Sequence, residues 1–190
     1  MGNIDVLDIY RKNGAFLEGH FLLSSGLHSN AYLQSELVMQ YPFIAKKLVA
    51  ALADKIYSFD FSTVLSPAVG GIRPGYELAR IMSKKAIFAE RLEGKLFLRR
   101  GFHIEKGERV IIMEDVITTG KSTNETIEVA KNCGANVVLV ASLIDRSGSG
   151  IDFDVPFFTL ASINVATFTS DNCQLCKDNI PFTSPGSRHI

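Results

Sequence analysis

The chain has 190 residues, with 20 basic and 20 acidic side chains and 46% hydrophobic residues. That length suits one globular domain with a sizeable core, and the balance excludes disordered and fibrous classes. A formal charge of zero gives no bulk attraction to nucleic acid or anionic lipid, and no apolar run approaches the ~20 residues that span a bilayer.

The opening residues, MGNIDVLDIYRKNG, carry acids and lack an apolar signal core, so no secretory signal is expected. A helix is predicted over 4–12, then short extended runs near 16–23 and 31–34. Ile44, Leu48, Val49, Leu52 and Ile56 recur at helical spacing and predict a helix over 43–56. A strand at 63–65, a Pro/Gly-rich turn, a helix at 76–82 and a strand at 86–89 follow. Residues 90–108 are polar and glycine-punctuated, and read as a loop or loose hairpin carrying Arg91, Lys95, Arg99, Arg100 and Lys106. An apolar strand is predicted at 109–113, and after Gly120 a helix runs to Asn132 with Gly134 as its stop signal. The nearly continuous apolar run at 135–144 reads as a strand buried on both faces, 157–165 closes the sheet, and the tail beyond Ser170 is turn-rich. This alternation predicts an α/β domain with a largely parallel sheet.

Cys133, Cys173 and Cys176 form no disulfide framework, and a reducing cytoplasm is the expected setting. Cys173 and Cys176 have the spacing of half a zinc knuckle. A structural zinc site takes four ligands and no second pair is present, so free thiols are expected. Cys133 and His189 would serve only if the fold brought them close.

The chemistry concentrates in IIMEDVITTGKS, residues 111–122. Gly120-Lys121-Ser122 mimics the end of a kinase-like phosphate loop, but the first glycine of that pattern would fall on Asp115, so the pattern fails. What remains is a strand, a turn and a helix in order. Free backbone N–H groups and the positive end of the helix dipole gather at such a turn and suit a phosphate monoester. Gly120 allows close approach, and the hydroxyls of Thr118, Thr119, Ser122 and Thr123 add donors. Glu114 and Asp115 would repel that phosphate; at the strand's carboxyl end they suit sugar hydroxyls or a divalent cation. Helix capping accounts for one or two hydroxyls, but not for adjacent acids closing an apolar strand. Phosphate beside hydroxyls describes a ribose 5-phosphate.

The run VIIMEDVITTGKS closely resembles the phosphoribosyl-pyrophosphate (PRPP) signature of type I phosphoribosyltransferases. Three further stretches resemble orotate phosphoribosyltransferases: FLLSSGLHS at 21–29, the loop from AER at 89–91 through LRRGF at 98–102, and LIDRSG at 143–148. The resemblance implies the type I fold, a central mostly parallel sheet flanked by helices in a single domain over 1–190. Its core would span about 40–150, with a small hood from about 1–35 and 155–190 and a flexible loop. It implies transfer of ribose 5-phosphate from PRPP to orotate, giving orotidine 5′-monophosphate and diphosphate. Mg²⁺ would arrive on PRPP without direct protein ligands, Asp115 reaching it through water. The resemblance also implies a cytoplasmic homodimer with small-molecule partners and neither nucleic acid nor membrane.

By the same resemblance, PRPP falls on Glu114, Asp115, Val116, Ile117, Thr118, Thr119, Gly120, Lys121 and Ser122, and diphosphate on the turn Ala68, Val69, Gly70 and Gly71. Orotate falls on Arg146, whose guanidinium can clamp a carboxylate, with Thr118, Tyr32 and Leu33. Catalytic roles fall first to Lys95 and then Arg91, with Arg99, Arg100, Glu114 and Asp115, the loop closing over the neighbouring subunit's site. Some relatives carry lysines at the positions of Gly70 and Ser24. Without them, diphosphate must lean on backbone donors, on Arg73 or on the loop. Two rivals stay open: a purine-type phosphoribosyltransferase, against which Arg146 argues, and a non-catalytic nucleotide-sensing regulator, against which the basic loop and the absence of an added basic module argue.

Overall fold

The computed structural model describes residues 4–23, 25–148 and 150–185. In chain order the elements are α1 (Val6–Lys12), β1 (Phe16–Leu22), β2 (His28–Leu33), α2 (Glu36–Met39), α3 (Pro42–Ile56), β3 (Thr63–Pro67), α4 (Ile72–Met82), β4 (Lys85–Leu92) and β5 (Lys95–Leu98). Then come β6 (Arg109–Ile117), α5 (Lys121–Asn132), β7 (Asn136–Asp145), β8 (Phe157–Ser162), β9 (Thr167–Phe168) and α6 (Gln174–Lys177).

Six strands form one sheet in the order β5-β4-β3-β6-β7-β8, parallel except for β5. Strand alternation feeds two cores. On one face Val64, Ile111, Met113, Leu139 and Ala141 pack with Leu48 and Leu52 of α3 and Leu78 of α4. On the other, Leu65, Val110, Ile112 and Val140 pack with Ile127 and Ala130 of α5. The chain leaves β3 through α4 towards β4 on one side and leaves β6 through α5 towards β7 on the other. The direction of winding therefore reverses between β3 and β6, and their carboxyl ends open a crevice there. A second, three-stranded antiparallel sheet, β1-β2-β9, forms a hood.

The α/β reading holds, and several boundaries move. Helix α4 starts at Ile72, before the predicted 76, because Pro74 lies in its first turn, where a missing N–H breaks no helical bond. Strand β6 continues through Glu114 and Asp115 to Ile117, so the acids sit inside the strand. Residues 90–108 begin as a tight hairpin: Glu93 and Gly94, with φ of 49° and 82°, form the two-residue turn that joins β4 to β5. Strand β8 pairs with β7 at the edge of the large sheet, so the hood's C-terminal part begins at β9 and not near residue 155. The short α2, β9 and α6 carry too few periodic residues to be read from sequence.

Candidate active site

The turn after β3 and the turn after β6 meet at the crevice. Together with hood residues they line a cleft of about 420 Å³ that includes Tyr32, Leu33, Pro67, Ala68, Val69, Gly70, Glu114, Asp115, Thr118, Ser122 and Arg146. A contiguous cavity of about 240 Å³ is bounded by Glu114 and by residues 116–123. The sequence-predicted groups on β2, β3, β6 and β7 thus converge on one place.

The loop 118–120 closes β6 and starts α5. Gly120 takes φ 71° at the helix N-cap, and a β-carbon there would lie 3.1 Å from both Ile151 and Phe153. The left-handed conformation favours glycine, and a side chain would also need Ile151 and Phe153 to give way. Thr118 and Thr119 are exposed at the cavity wall. Thr123, expected as a phosphate donor, is buried instead and its hydroxyl bonds to the Glu114 carboxyl group. It anchors an acid, a role that sequence spacing does not reveal.

Because strand residues alternate, the two acids face opposite ways. Glu114 points towards α5 and Thr123, and burial, with Asp115 beside it, raises its pKa well above the ordinary carboxylate value. Asp115 faces the hood side, where the Ser35 hydroxyl donates to it; burial raises its pKa, and the Ser35 and Val116 bonds oppose that rise. Tyr10, itself fully buried, donates to Ser35 Oγ at 3.0 Å, so a chain of hydroxyls runs from α1 to the acid. Neither Tyr10 nor Ser35 carries a sequence signal, since their partner lies far along the chain.

After β3, the turn carries a cis peptide between Ala68 and Val69. The Ala68 amide is committed to the Ala89 carbonyl at 2.8 Å, whereas the Val69 and Gly70 amides carry no bond among the described residues. Arg73, an expected auxiliary cation, is ion-paired with Glu36.

Arg146 follows β7, and its amide donates to the Ile117 carbonyl at 2.7 Å, which fixes it beside the end of β6. Its side chain is 9% exposed, and Nη2 reaches the Ala31 carbonyl at 3.3 Å and Ser29 Oγ at 3.4 Å. Among the described residues no carboxylate pairs with it. Burial lowers its pKa, with Tyr32 opposing. A guanidinium held in a cleft without a counter-charge is a receptor for an anion. Tyr32 is half-buried beside it, its hydroxyl pKa raised by burial and by Asp115.

The loop cations stand apart from this cleft. Arg91 pairs with Glu125 of α5 and donates to the Gly94 carbonyl at 2.6 Å, and Arg100 pairs with Glu90 at 2.8 Å. Lys95 is exposed beside the hairpin turn, Arg99 is exposed after β5, and none of the four lines the cleft or the cavity beside it. Ser24 lies outside the described residues.

A family model described as a phosphoribosyl transferase domain matches residues 38–173. Orotate phosphoribosyltransferase from Carboxydothermus hydrogenoformans is 47% identical over 187 residues, covering 97% of this chain and 98% of that protein. The enzyme of the same description from Caldanaerobacter subterraneus subsp. tengcongensis is 44% identical, covering 97% of each. Among solved structures, orotate phosphoribosyltransferase from Aeropyrum pernix superposes with a TM-score of 0.66 at 27% identity, over 82% of this chain and 92% of that one. Fold, crevice and relatives agree, and the chain belongs to the orotate phosphoribosyltransferase family of the phosphoribosyl transferase domain.

Proposed function

We propose that the chain transfers ribose 5-phosphate from PRPP to orotate, forming orotidine 5′-monophosphate and diphosphate in pyrimidine nucleotide synthesis. The observation that carries this reading is Arg146, a buried guanidinium without a carboxylate partner among the described residues, in the same cleft as a phosphate loop and two acids. It matches the carboxylate that distinguishes orotate from purine bases.

The 5-phosphate takes the amides and hydroxyls at 118–122, at the N-terminus of α5. Asp115, held by Ser35, accepts from the ribose hydroxyls, with Glu114 beside it. Diphosphate takes the open amides of Val69 and Gly70. Thr118 and Tyr32 flank the base, with Leu33 packing behind. Breaking the C1–oxygen bond leaves an oxocarbenium-like ribose while negative charge departs on diphosphate. Catalysis then consists of holding the orotate nitrogen in line with C1 and stabilising the leaving charge.

Mg²⁺ fits this donor set. Asp115 raises the cost of ionising Glu114, and a hard cation held mainly by substrate phosphates suits one or two carboxylates in the cleft without a full protein cage. When bound it neutralises phosphate charge. It would arrive on PRPP without direct protein ligands, Asp115 reaching it through water.

Diphosphate still lacks a side-chain cation, and the loop supplies it from a neighbouring subunit: Lys95 first, then Arg91, Arg99 and Arg100. The remoteness of these cations from their own cleft supports delivery in trans. Exposed Tyr41, Phe43, Val69 and Tyr76 around the starts of α3 and α4 support a homodimer. No helix among the described residues is long and apolar enough to cross a membrane. The test is direct: with PRPP and Mg²⁺ the protein consumes orotate, read as a fall in orotate absorbance. Consumption of adenine or hypoxanthine in its place refutes the assignment.

A further inference from the structure

Outside the lining of the cleft, the hood gathers four metal-ligating side chains from three places in the chain. His20 lies on β1, His28 starts β2, and Cys173 and Cys176 flank the start of α6; their ligand atoms all lie within 4.8 Å of one another. His20, His28 and Cys173 are buried, at 4%, 4% and 1% exposure. We infer that these four residues form a structural zinc site of the two-cysteine, two-histidine kind.

Hydrogen bonding among the four does not account for the cluster. His20 Nδ1 lies 2.7 Å from the Ile180 carbonyl, which can only accept, so Nδ1 carries the proton and Nε2 of the neutral ring presents a lone pair. Three groups crowd that one lone pair: His28 Nδ1 at 2.6 Å, Cys173 Sγ at 3.4 Å and Cys176 Sγ at 3.7 Å. Cys176 Sγ also lies 3.4 Å from His28 Nδ1. A lone pair serves one donor well, whereas a cation at the centre serves all four ligands at once.

The distances suit zinc. Tetrahedral bonds of about 2.3 Å to sulfur and 2.0–2.1 Å to nitrogen place ligand atoms roughly 3.3–3.8 Å apart. Three sulfur–nitrogen separations already fall there, at 3.4, 3.7 and 3.4 Å, and the whole set, within 4.8 Å, closes on a tetrahedron by small side-chain shifts that also widen the histidine pair. The His20–Ile180 bond is the outer contact that orients a metal-bound imidazole. Phe182 meets both rings edge-on, at centroid distances of 5.7 and 5.3 Å, and shields the site.

The site has a structural task. The three-stranded hood is too small for a large core of its own, and small folds of this kind use a metal as a staple. Zinc here ties β1, β2 and the C-terminal segment together, and that segment also pairs with β1 through Thr183. The same hood provides Leu23, Ser25 and Tyr32 to the cleft. Sequence reading stopped at the cysteine pair because the histidines have no zinc-finger spacing to it. The expectation of free thiols gives way to this assignment. Cys133 belongs to the α5 core, and His189 lies outside the described residues.

The full chain, purified under reducing conditions, is expected to carry about one zinc per chain by elemental analysis. Removing it with a chelator is expected to lower the melting temperature by several degrees, and added Zn²⁺ to restore it. Co²⁺ replacing zinc is expected to give the intense visible bands of a four-coordinate ion and a thiolate charge-transfer band. His28→Ala and Cys176→Ser are each expected to lose the metal. Should these variants fail to fold, the cobalt spectrum of the wild-type chain decides. No uptake of Zn²⁺ or Co²⁺ by the reduced protein, a six-coordinate cobalt spectrum without thiolate bands, or full metal retention by Cys176→Ser overturns the assignment. None of these readouts uses orotate or PRPP, so the result stands apart from the proposed reaction.

Discussion

Gly70 and Asp115 face each other so closely that a β-carbon on Gly70 would lie 2.7 Å from Asp115 Oδ1. The turn after β3 and the acid of β6 therefore share a space that only glycine leaves open, and the carboxylate fills part of the volume a side chain would take. Gly70→Ala has to move either the turn or the acid. We expect it to lower kcat/KM for PRPP by about tenfold or more, because small displacements of positioning groups are amplified in rate. Its melting temperature should stay within a few degrees of wild type. A variant with unchanged PRPP kinetics would show that the cleft absorbs a methyl group and that the close approach is incidental.

Ser35 is the next test, because it links Tyr10 to Asp115. Ser35→Ala removes the donor to the acid and strands the buried Tyr10 hydroxyl, at a cost of roughly 1–3 kcal/mol. Tyr10→Phe leaves the Ser35–Asp115 bond intact. If the serine positions the acid, Ser35→Ala should lose activity well beyond Tyr10→Phe at comparable loss of melting temperature. Equal activity losses in the two would mean that the network serves stability alone.

Arg146→Ala is expected to raise the KM for orotate on the order of 100-fold, the equivalent of 2–3 kcal/mol for a charge-assisted bidentate contact. The KM for PRPP should change little. Arg146→Lys keeps the charge but not the fork, and should recover only part of the loss. Titration calorimetry with orotate measures this without turnover; unaltered orotate affinity in Arg146→Ala would remove the guanidinium from base recognition.

The contiguous part of the site was legible in the sequence because its chemistry needs neighbours: β6, its turn and α5 follow one another from Arg109 to Asn132. Arg146 was legible only through the resemblance of LIDRSG at 143–148, since an arginine after an apolar strand is more often a surface charge; the structure places it at the end of β7, parallel to β6. The acids' opposite orientations were hidden, since two charges inside an apolar run made the strand look finished at Met113. Strand periodicity would have separated Glu114 from Asp115 had the strand been carried on to Ile117. Contacts made across the fold left no local trace. Ser35 with Asp115, Glu36 with Arg73, and His20 with Cys173 are pairs that only tertiary structure brings together.

At the opposite end of the sheet, Glu108 makes a prediction about acid stability. Its carboxylate accepts from Lys85 at 2.8 Å, from the Glu105 amide at 2.8 Å and from Thr63. Burial works against ionisation there, but these partners together outweigh it and lower the pKa from 4.5 to about 2. A carboxylate with a depressed folded-state pKa adds stability that is complete above its unfolded value and disappears as pH falls through the folded value. The contribution should therefore be full above about pH 4.5 and vanish towards pH 2. Glu108→Gln should lower the melting temperature at neutral pH and flatten its decline across that window, with orotate kinetics unaffected because the residue lies away from the cleft. Parallel acid denaturation curves for the two proteins would contradict it.

Lys95 stands beside the hairpin turn, exposed, in a loop whose other cations are partly occupied: Arg91 by Glu125 and Arg100 by Glu90. Solvated surface charge would make it dispensable. Against that, diphosphate leaves with growing negative charge, Gly70 brings no side chain to meet it, and Arg73 is tied to Glu36. In the proposed reaction the leaving charge is met by a cation of the loop, and the hairpin does not line the cleft of its own chain. If Lys95 acts on a neighbouring subunit, Lys95→Ala and Asp115→Asn are each inactive for different reasons, one lacking the loop charge and the other the acid. A mixed dimer then restores one site, where an intact acid meets an intact loop. Random exchange makes roughly half the dimers mixed, each with one working site of two, so activity should return towards about a quarter of wild type. Mass measurement of tagged subunits verifies that exchange has occurred. Exchange without recovery would place the loop's action within its own subunit, and full activity of Lys95→Ala alone would reduce the lysine to surface charge.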